Sequence, residues 1–205
     1  TSALNLALSL LDLRNKDVIL PSLSFVSTAN CVLLNGGIPK FVDIDPITLC
    51  IKPELIEKSI TKKTKAIIPV HLFGLSADMD PILEIAKKHN LWVVEDAACG
   101  FGAKYKGKHV GTLGDTGCFS FHPRKAITTG EGGMITTNDE DIYRKLLFLR
   151  THGITREMVG SSGRMAKPWY YQQIDLGFNY RMPDILAVLG LSQLPRLDDF
   201  VSKRH

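Results

Sequence analysis

The chain has no apolar run approaching the ~20 residues needed to cross a bilayer, and its first residues carry no basic-then-apolar leader. A membrane span is thereby ruled out of the reading, and a cytoplasmic location is expected. Tracts of like charge are missing too. The net charge is +4 over 205 residues, with basic residues scattered as Lys62, Lys63, Lys65, Lys87 and Lys88, so no nucleic-acid partner is implied. There are four cysteines, Cys31, Cys50, Cys99 and Cys118, and no C-x-x-C pair. That spacing signals neither a zinc site nor a disulfide framework, which leaves reduced, buried thiols as the expectation. No G-x-G-x-x-G lies between a strand and a helix with an acidic residue about 20 positions on, so a nicotinamide-dependent oxidoreductase lacks its fingerprint. Internal repeats and low-complexity tracts are also absent.

What is present is the composition of an ordinary globular protein. At 44% hydrophobic and 22% charged residues, the chain can build one sizeable core. Leu4, Ala7, Leu8 and Leu11 follow helical spacing after a cap at Thr1 or Ser2, whose free N–H groups offer a place for a phosphate. Strand-like runs are expected at Asp17–Pro21, Pro39–Ile44, Lys65–His71 and Leu91–Asp96. Between them, helices are expected from Phe25 to Gly36-Gly37, from Pro53 to Ile60 and from Met79 to Asn90. Tyr105 to Gly111 reads as a hairpin with glycine at its turn, and Asn138 to Asp141 caps a helix carrying Ile142, Leu146 and Leu149. Residues 154–167 read as a mobile loop, and Asp184 to Leu197 as helix. Strands alternating with helices of about ten residues give an α/β domain with a mostly parallel sheet, whose ligands sit beyond the carboxyl ends of the strands. Asp96 stands at one such end.

The chain is organised around Gly117 to Gly133, where Lys125 lies between an apolar segment and a glycine cluster. A lysine kept short of solvent loses some preference for its charged form and becomes a nucleophile toward aldehydes. A surface lysine on a tight turn between two strands fits the same letters.

Eight segments in order then carry a resemblance: Thr1 to Leu4, Pro21 to Asn30, Phe41 to Asp45, Pro69 to Gly74, Glu95 to Ala98, Gly114-Asp115, Phe119 to Gly133 and Gly177 to Met182. Together the chain resembles the DegT/DnrJ/EryC1/StrS sugar-nucleotide aminotransferases, fold-type I enzymes dependent on pyridoxal 5'-phosphate. The resemblance implies the three-layer α/β/α large domain of that fold over residues 1–198, with 199–205 starting the helix that leads to an absent C-terminal small domain. Both ends of the chain read as cut.

The resemblance also implies roles. Lys125 matches the Schiff-base lysine, and Asp96 the carboxylate facing the pyridine nitrogen, a position where a helix N-cap is the plain alternative. Phe25 matches an aromatic lying against the cofactor ring, with core packing as its alternative. Thr1, Ser2 and Ser120 match phosphate contacts, and Asn179 a residue lent by the neighbouring subunit of a homodimer with shared active sites. His122 reads more simply as a packed or solvated histidine. Cys99 departs from the glutamine or histidine of many relatives, and a thiol is a weak partner for the cofactor's phenolate oxygen. The implied reaction moves an amino group, from a donor such as glutamate, to a keto carbon of a nucleotide-linked sugar. Relatives with histidine at the lysine position dehydrate sugars instead, and a non-catalytic homologue is a further alternative. The presence of Lys125 with Asp96 favours transamination.

Overall fold

The computed structural model describes residues 1–156 and 169–204. The chain runs through α1 (Ser2–Leu8), β1 (Asp17–Pro21), α2 (Val26–Leu34), β2 (Ile38–Val42), α3 (Pro53–Ser59), β3 (Thr64–Ile67), α4 (Met79–His89) and β4 (Trp92–Asp96). It continues through β5 (Lys104–Tyr105), β6 (Lys108–His109), β7 (Thr116–Ser120), β8 (Gly133–Thr136), α5 (Glu140–Leu149), β9 (Ile154–Thr155), β10 (Gln172–Gln173), α6 (Asp184–Gln193) and α7 (Leu197–Ser202). Six strands form one sheet in the order β2-β1-β3-β4-β7-β8. All neighbours run parallel except β7 and β8, which form an antiparallel pair.

Strand periodicity splits the core in two. Val18 and Leu20 of β1 face one side with Leu4, Leu8, Val32, Ile68 and Val94, while Ile19 faces the other with Ile56, Ile67, Met79, Ile82 and Val93. Because both faces are covered, the central strands read as unbroken apolar runs, and each fully buried Leu or Ile contributes about 1.5–3 kcal/mol. The hairpin β5–β6 turns through Lys106 and Gly107, both at positive φ (48° and 83°), as a two-residue turn requires. Asp139 caps α5 by accepting from the amides of Asp141 and Ile142.

Several boundaries differ from those read in the sequence. Helix α1 stops at Leu8, although Leu11 is buried beyond it. The third strand closes at Ile67, since Pro69 has no N–H for a ladder, and only an isolated bridge joins Val70 to Asp96. Pro195 breaks the last helical stretch into α6, a 3-10 turn at Leu194–Arg196, and α7, which runs through positions 198 and 199. Within the expected loop 154–167, Ile154 and Thr155 pair with Gln173 and Gln172, Arg156 forms no strand or helix, and residues 157–167 lie outside the described residues.

Strand β4 ends in two carboxylates that point to opposite faces. Glu95 is wholly buried beside His71, which is also wholly buried, with His71 Nε2 2.8 Å from Glu95 Oε2. The amide of Ala77 donates to His71 Nδ1 at 3.1 Å, so the ring proton sits on Nε2 and is given to Glu95. Gly111 N–H donates to Oε2, and Leu113 and Gly114 N–H donate to Oε1, each at 2.7 Å. One side chain thus fastens the segments entering β7 and leaving β3.

The loop between β7 and β8, residues 121–132, is held from α6 and α7. Gln193 accepts from Thr128 N–H at 3.1 Å through Oε1 and donates to Thr128 C=O at 2.7 Å through Nε2. Arg204 Nη2 donates to the carbonyl of Lys125 at 3.0 Å. Val201 and Leu197 of α7 lie beside Gly102, where an added Cβ would come 3.1 Å from Val201 Cγ2.

Burial pushes the Glu95 carboxyl up, but the His71 bond and the amides of Gly114 and Gly111 outweigh it and hold the group below its ordinary 4.5. Its contribution to stability is therefore complete above about pH 4.5 and lost as pH falls through the lower folded value. Glu95→Ala should cost about 3–5 kcal/mol in urea unfolding near neutral pH, since His71 and three amides lose their acceptor. Glu95→Gln should show a flatter acid limb than the parent, and identical acid limbs would count against this role. Gln193→Ala should speed amide exchange across residues 122–130 by about 5–30-fold, the effect of losing about 1–2 kcal/mol of hydrogen bonding, while β1 and β3 keep their protection.

Candidate active site

Asp96 closes β4 on the face toward α2 and is only 4% exposed. Thr28 of α2 donates to Asp96 Oδ2 at 2.7 Å, and Ser24 Oγ lies 2.7 Å from Thr28 Oγ1. Since the Thr28 proton is spent on Asp96, Ser24 must donate to Thr28, and both hydroxyls point their protons toward the carboxylate. Among the described residues Oδ1 receives only the Ala98 amide, at 3.2 Å. That bond makes a local turn; Asp96 caps no helix among the described residues. A carboxylate buried this deeply, with acceptor capacity left on Oδ1, can take a further N–H donor.

Phe25 is the N-cap residue of α2 and is 69% exposed, so it packs in no core. Its ring stands at the edge of the sheet as a free aromatic face. At the start of α1, an added Cβ on Gly133 would lie 3.7 Å from Ala3 Cβ, and Gly133 pairs directly with Ser120 across β7–β8. Thr1, Ser2 and Ser120 are thereby drawn to one place, with Ser120 Oγ accepting from His122 N–H at 3.4 Å. The Thr1 carbonyl also accepts from Cys31 Sγ at 3.4 Å, tying α1 to α2.

Phe119, Phe121 and Ile127 are buried beneath the Lys125 loop, and Phe101 meets Phe119 and Phe121 edge-to-face at centroid distances of 5.4 and 5.6 Å. Lys125 itself is only half-buried, against the expectation of a lysine short of solvent. The turn closed by Lys125 N–H to His122 C=O, at 2.9 Å, lifts its side chain off the aromatic floor. There Nζ donates to Cys99 Sγ at 3.2 Å. Cys99 is exposed, unlike Cys31, Cys50 and Cys118, because it stands in the turn between Asp96 and Gly100 rather than inside an element. The expectation of four buried thiols holds for three. The glycine cluster serves the turn: a Cβ at Gly132 would lie 2.2 Å from Thr129 Oγ1, and one at Gly133 would lie 2.7 Å from the Phe119 carbonyl.

The structure therefore brings Thr1, Ser2, Phe25, Asp96, Cys99, Ser120 and Lys125 to the carboxyl edge of β1, β4 and β7. Asn179 is placed differently. It is exposed, bridges to Thr151, and is flanked by Phe178 and Tyr180, which pack together on the α1 and α5 side. Among the described residues no hydrogen bond joins its side chain to the others. His122 is half-buried and accepts from Arg124 N–H at 3.3 Å, a local turn contact. Thr28 and Gln193 went unnoticed in the sequence. The i, i+4 spacing of Ser24 and Thr28 could have flagged the first, while Gln193 acts across 65 positions and gives no local signal.

The residues fit the implied cofactor: an amine for its aldehyde, a buried carboxylate with spare acceptor capacity for a ring N–H, an exposed aromatic for its face, and hydroxyls for its phosphate. Two surface cavities of about 580 and 590 Å³ lie elsewhere, the first around Arg144 and Ile154 and the second around Lys62 and Trp92. Among the described residues no group of three or more histidines, cysteines or carboxylates is placed to hold a metal, and no helix is long and apolar enough to cross a membrane.

A model of the DegT/DnrJ/EryC1/StrS aminotransferase family matches residues 1–205. The GDP-perosamine synthase of Caulobacter vibrioides is 47% identical over 206 residues, covering 100% of this chain and 53% of that protein. The aminotransferase of Psychrobacter cryohalolentis superposes with a TM-score of 0.89 at 42% identity, over 97% of this chain and 50% of that one. A Streptococcus pneumoniae protein assigned as a sugar aminotransferase, solved in a PLP form, gives a TM-score of 0.85 at 32% identity, over 97% of this chain and 53% of that one. The chain spans about half the length of the curated relatives it matches. A family match that runs from the first residue to the last, on a fold shared with an aminotransferase of known structure, decides the point: the chain belongs to the DegT/DnrJ/EryC1/StrS aminotransferase family.

Proposed function

We propose that these residues are the cofactor-binding part of an enzyme that uses pyridoxal 5'-phosphate to move an amino group from a donor such as glutamate to a keto carbon of a nucleotide-linked sugar. The observation that carries the reading is the pairing of a buried Asp96, which accepts from Thr28 while Ser24 in turn donates to Thr28, with the Lys125 amine one strand away. When bound, the cofactor supplies an aldehyde for the amine and a ring that takes up the electron pair released at the substrate carbon. Asp96 Oδ1 holds the proton on the ring nitrogen, and Thr28 keeps the carboxylate oriented for it. Lys125 Nζ, when free of the cofactor, would move the proton between the substrate carbon and the cofactor carbon that bore the aldehyde. Phe25 covers one ring face. Ser120, with the hydroxyls and N–H groups of Thr1 and Ser2, receives the phosphate.

The names of similar proteins support the substrate class: GDP-perosamine synthases, and a Helicobacter pylori aminotransferase involved in the biosynthesis of pseudoaminic acid, at 32% identity and a TM-score of 0.87. The remainder of the protein then forms the second domain, and the working unit is a homodimer in which Asn179 reaches the partner's phosphate site. An exposed Asn179 without contact to its own site fits that use.

In the full-length protein, borohydride reduction with the cofactor should place the pyridoxyl group on Lys125, and Lys125→Ala should lose both the visible band and turnover. Asp96→Asn should keep the fold but slow proton transfer by about one to two decades, the effect of losing about 1.5–3 kcal/mol of charge-assisted bonding. A label on another lysine would sink the assignment. For the shared site, mixing Asn179→Ala chains with Lys125→Ala chains should restore a fraction of the cofactor binding that neither has alone. A monomer with full affinity would refute the sharing.

A further inference from the structure

Of the four cysteines, solvent reaches only Cys99. Burial pushes the Cys31, Cys50 and Cys118 thiols up, which makes them unreactive packing groups. Cys99 differs also in its neighbour, since a primary amine, Lys125 Nζ, lies 3.2 Å from its sulfur. Both partners stand on firm supports. The Cys99 turn is pinned by Gly100, where an added Cβ would come 2.8 Å from Val110 Cγ2 and 3.2 Å from His71 Cβ. The Lys125 loop is pinned by Gln193 and Arg204. Among the described residues no carboxylate pairs with Lys125 Nζ, so nothing competes with the sulfur for the amine.

An exposed thiol is where oxidation concentrates, and a sulfenic acid condenses with a nitrogen held against it. We propose that Cys99 and Lys125 form a peroxide-sensitive modification site, in which oxidation of Cys99 closes an N–S bond to Lys125 and withdraws the amine from the cofactor. In the first step hydrogen peroxide oxidises the thiol: its O–O bond breaks, Cys99 S–H becomes S–OH, and water leaves. In the second, Nζ attacks the sulfur, the S–O bond breaks, and the departing hydroxide takes the amine proton as water. The protein loses two hydrogens in all. A small dithiol reverses the change, attacking the sulfur, releasing the amine and leaving as a cyclic disulfide.

The loss of cofactor rests on the reading of Lys125 given above, whereas the bond itself does not. The test uses full-length protein freed of cofactor and treated with hydrogen peroxide, then digested without reductant for peptide mass analysis. The expected product joins the Cys99 and Lys125 peptides, two hydrogens lighter than their sum, and disappears with dithiothreitol. Added pyridoxal phosphate should produce a visible band reduced in proportion to the joined peptide and restored by the dithiol. Cys99→Ser, compared with its own untreated sample, should lose none of its loading. Lys125→Arg should form no joined peptide and should leave a sulfenic acid that dimedone traps. Cys99 oxidised without any Cys99–Lys125 peptide overturns the proposal, as does a joined peptide with undiminished loading. Failure of the untreated protein to load cofactor on Lys125 would instead overturn the functional reading, and the joined peptide would register independently of it.

Discussion

The Glu95 carboxylate is the constraint on which the carboxyl edge of the sheet depends. Its two oxygens accept four N–H donors, from His71, Gly111, Leu113 and Gly114, so a group costly to remove from water is fully satisfied inside the protein. Those donors belong to the segment after β3 and the segment before β7, which flank β4 in the sheet. Holding both sets the height at which the three strands end. Because strand side chains alternate, anchoring Glu95 on one face turns Asp96 to the other, toward Thr28. Two adjacent carboxylates thus differ in commitment: Glu95 is given wholly to the frame, while Asp96 keeps acceptor capacity on Oδ1.

The second support is the Lys125 loop. Its floor is local, made by Phe119 and Phe121 of the same segment with Phe101, but its position is set from far along the chain by Gln193 and Arg204. A polar side chain that bonds both the N–H and the C=O of one residue, as Gln193 does at Thr128, acts like a strand neighbour and fixes the backbone in two directions. The Lys125 loop is therefore tied to α6 and to the segment just after α7, at the end of the described chain.

What the sequence made legible follows the range of the forces concerned. The hairpin at Lys106-Gly107, the cap at Asp139 and the buried runs of β1 and β4 are written in adjacent letters, and the structure has them where they were read. The motif run brought seven of the eight implied site residues to one edge, because the resemblance carried long-range information that periodicity lacks. The role of Glu95 has no local signal, since its partners stand 16 to 24 positions away. Lys125 and Cys99 are more open to solvent than their sequence neighbours imply. Apolar neighbours in sequence argued for burial of the lysine, but a turn directs its side chain away from them, and small-residue context said nothing of the open side of the Cys99 turn.

The one antiparallel pair of the six-stranded sheet, β7 with β8, bears on the order in which this edge can assemble. The Lys125 loop is closed by a hairpin, whose ends are near in the chain, so the entropy of bringing them together is small. The seat of Asp96 instead needs β1, β3 and β4 to align through crossovers, and non-local parallel pairing is the slow part of a fold. On a growing chain, Phe25 and Asp96 are synthesised first but reach their places slowly, whereas the hairpin around Lys125 follows and closes quickly. The Lys125 hairpin can therefore close early, but it takes its place at the sheet edge only when Gln193 and Arg204 reach it.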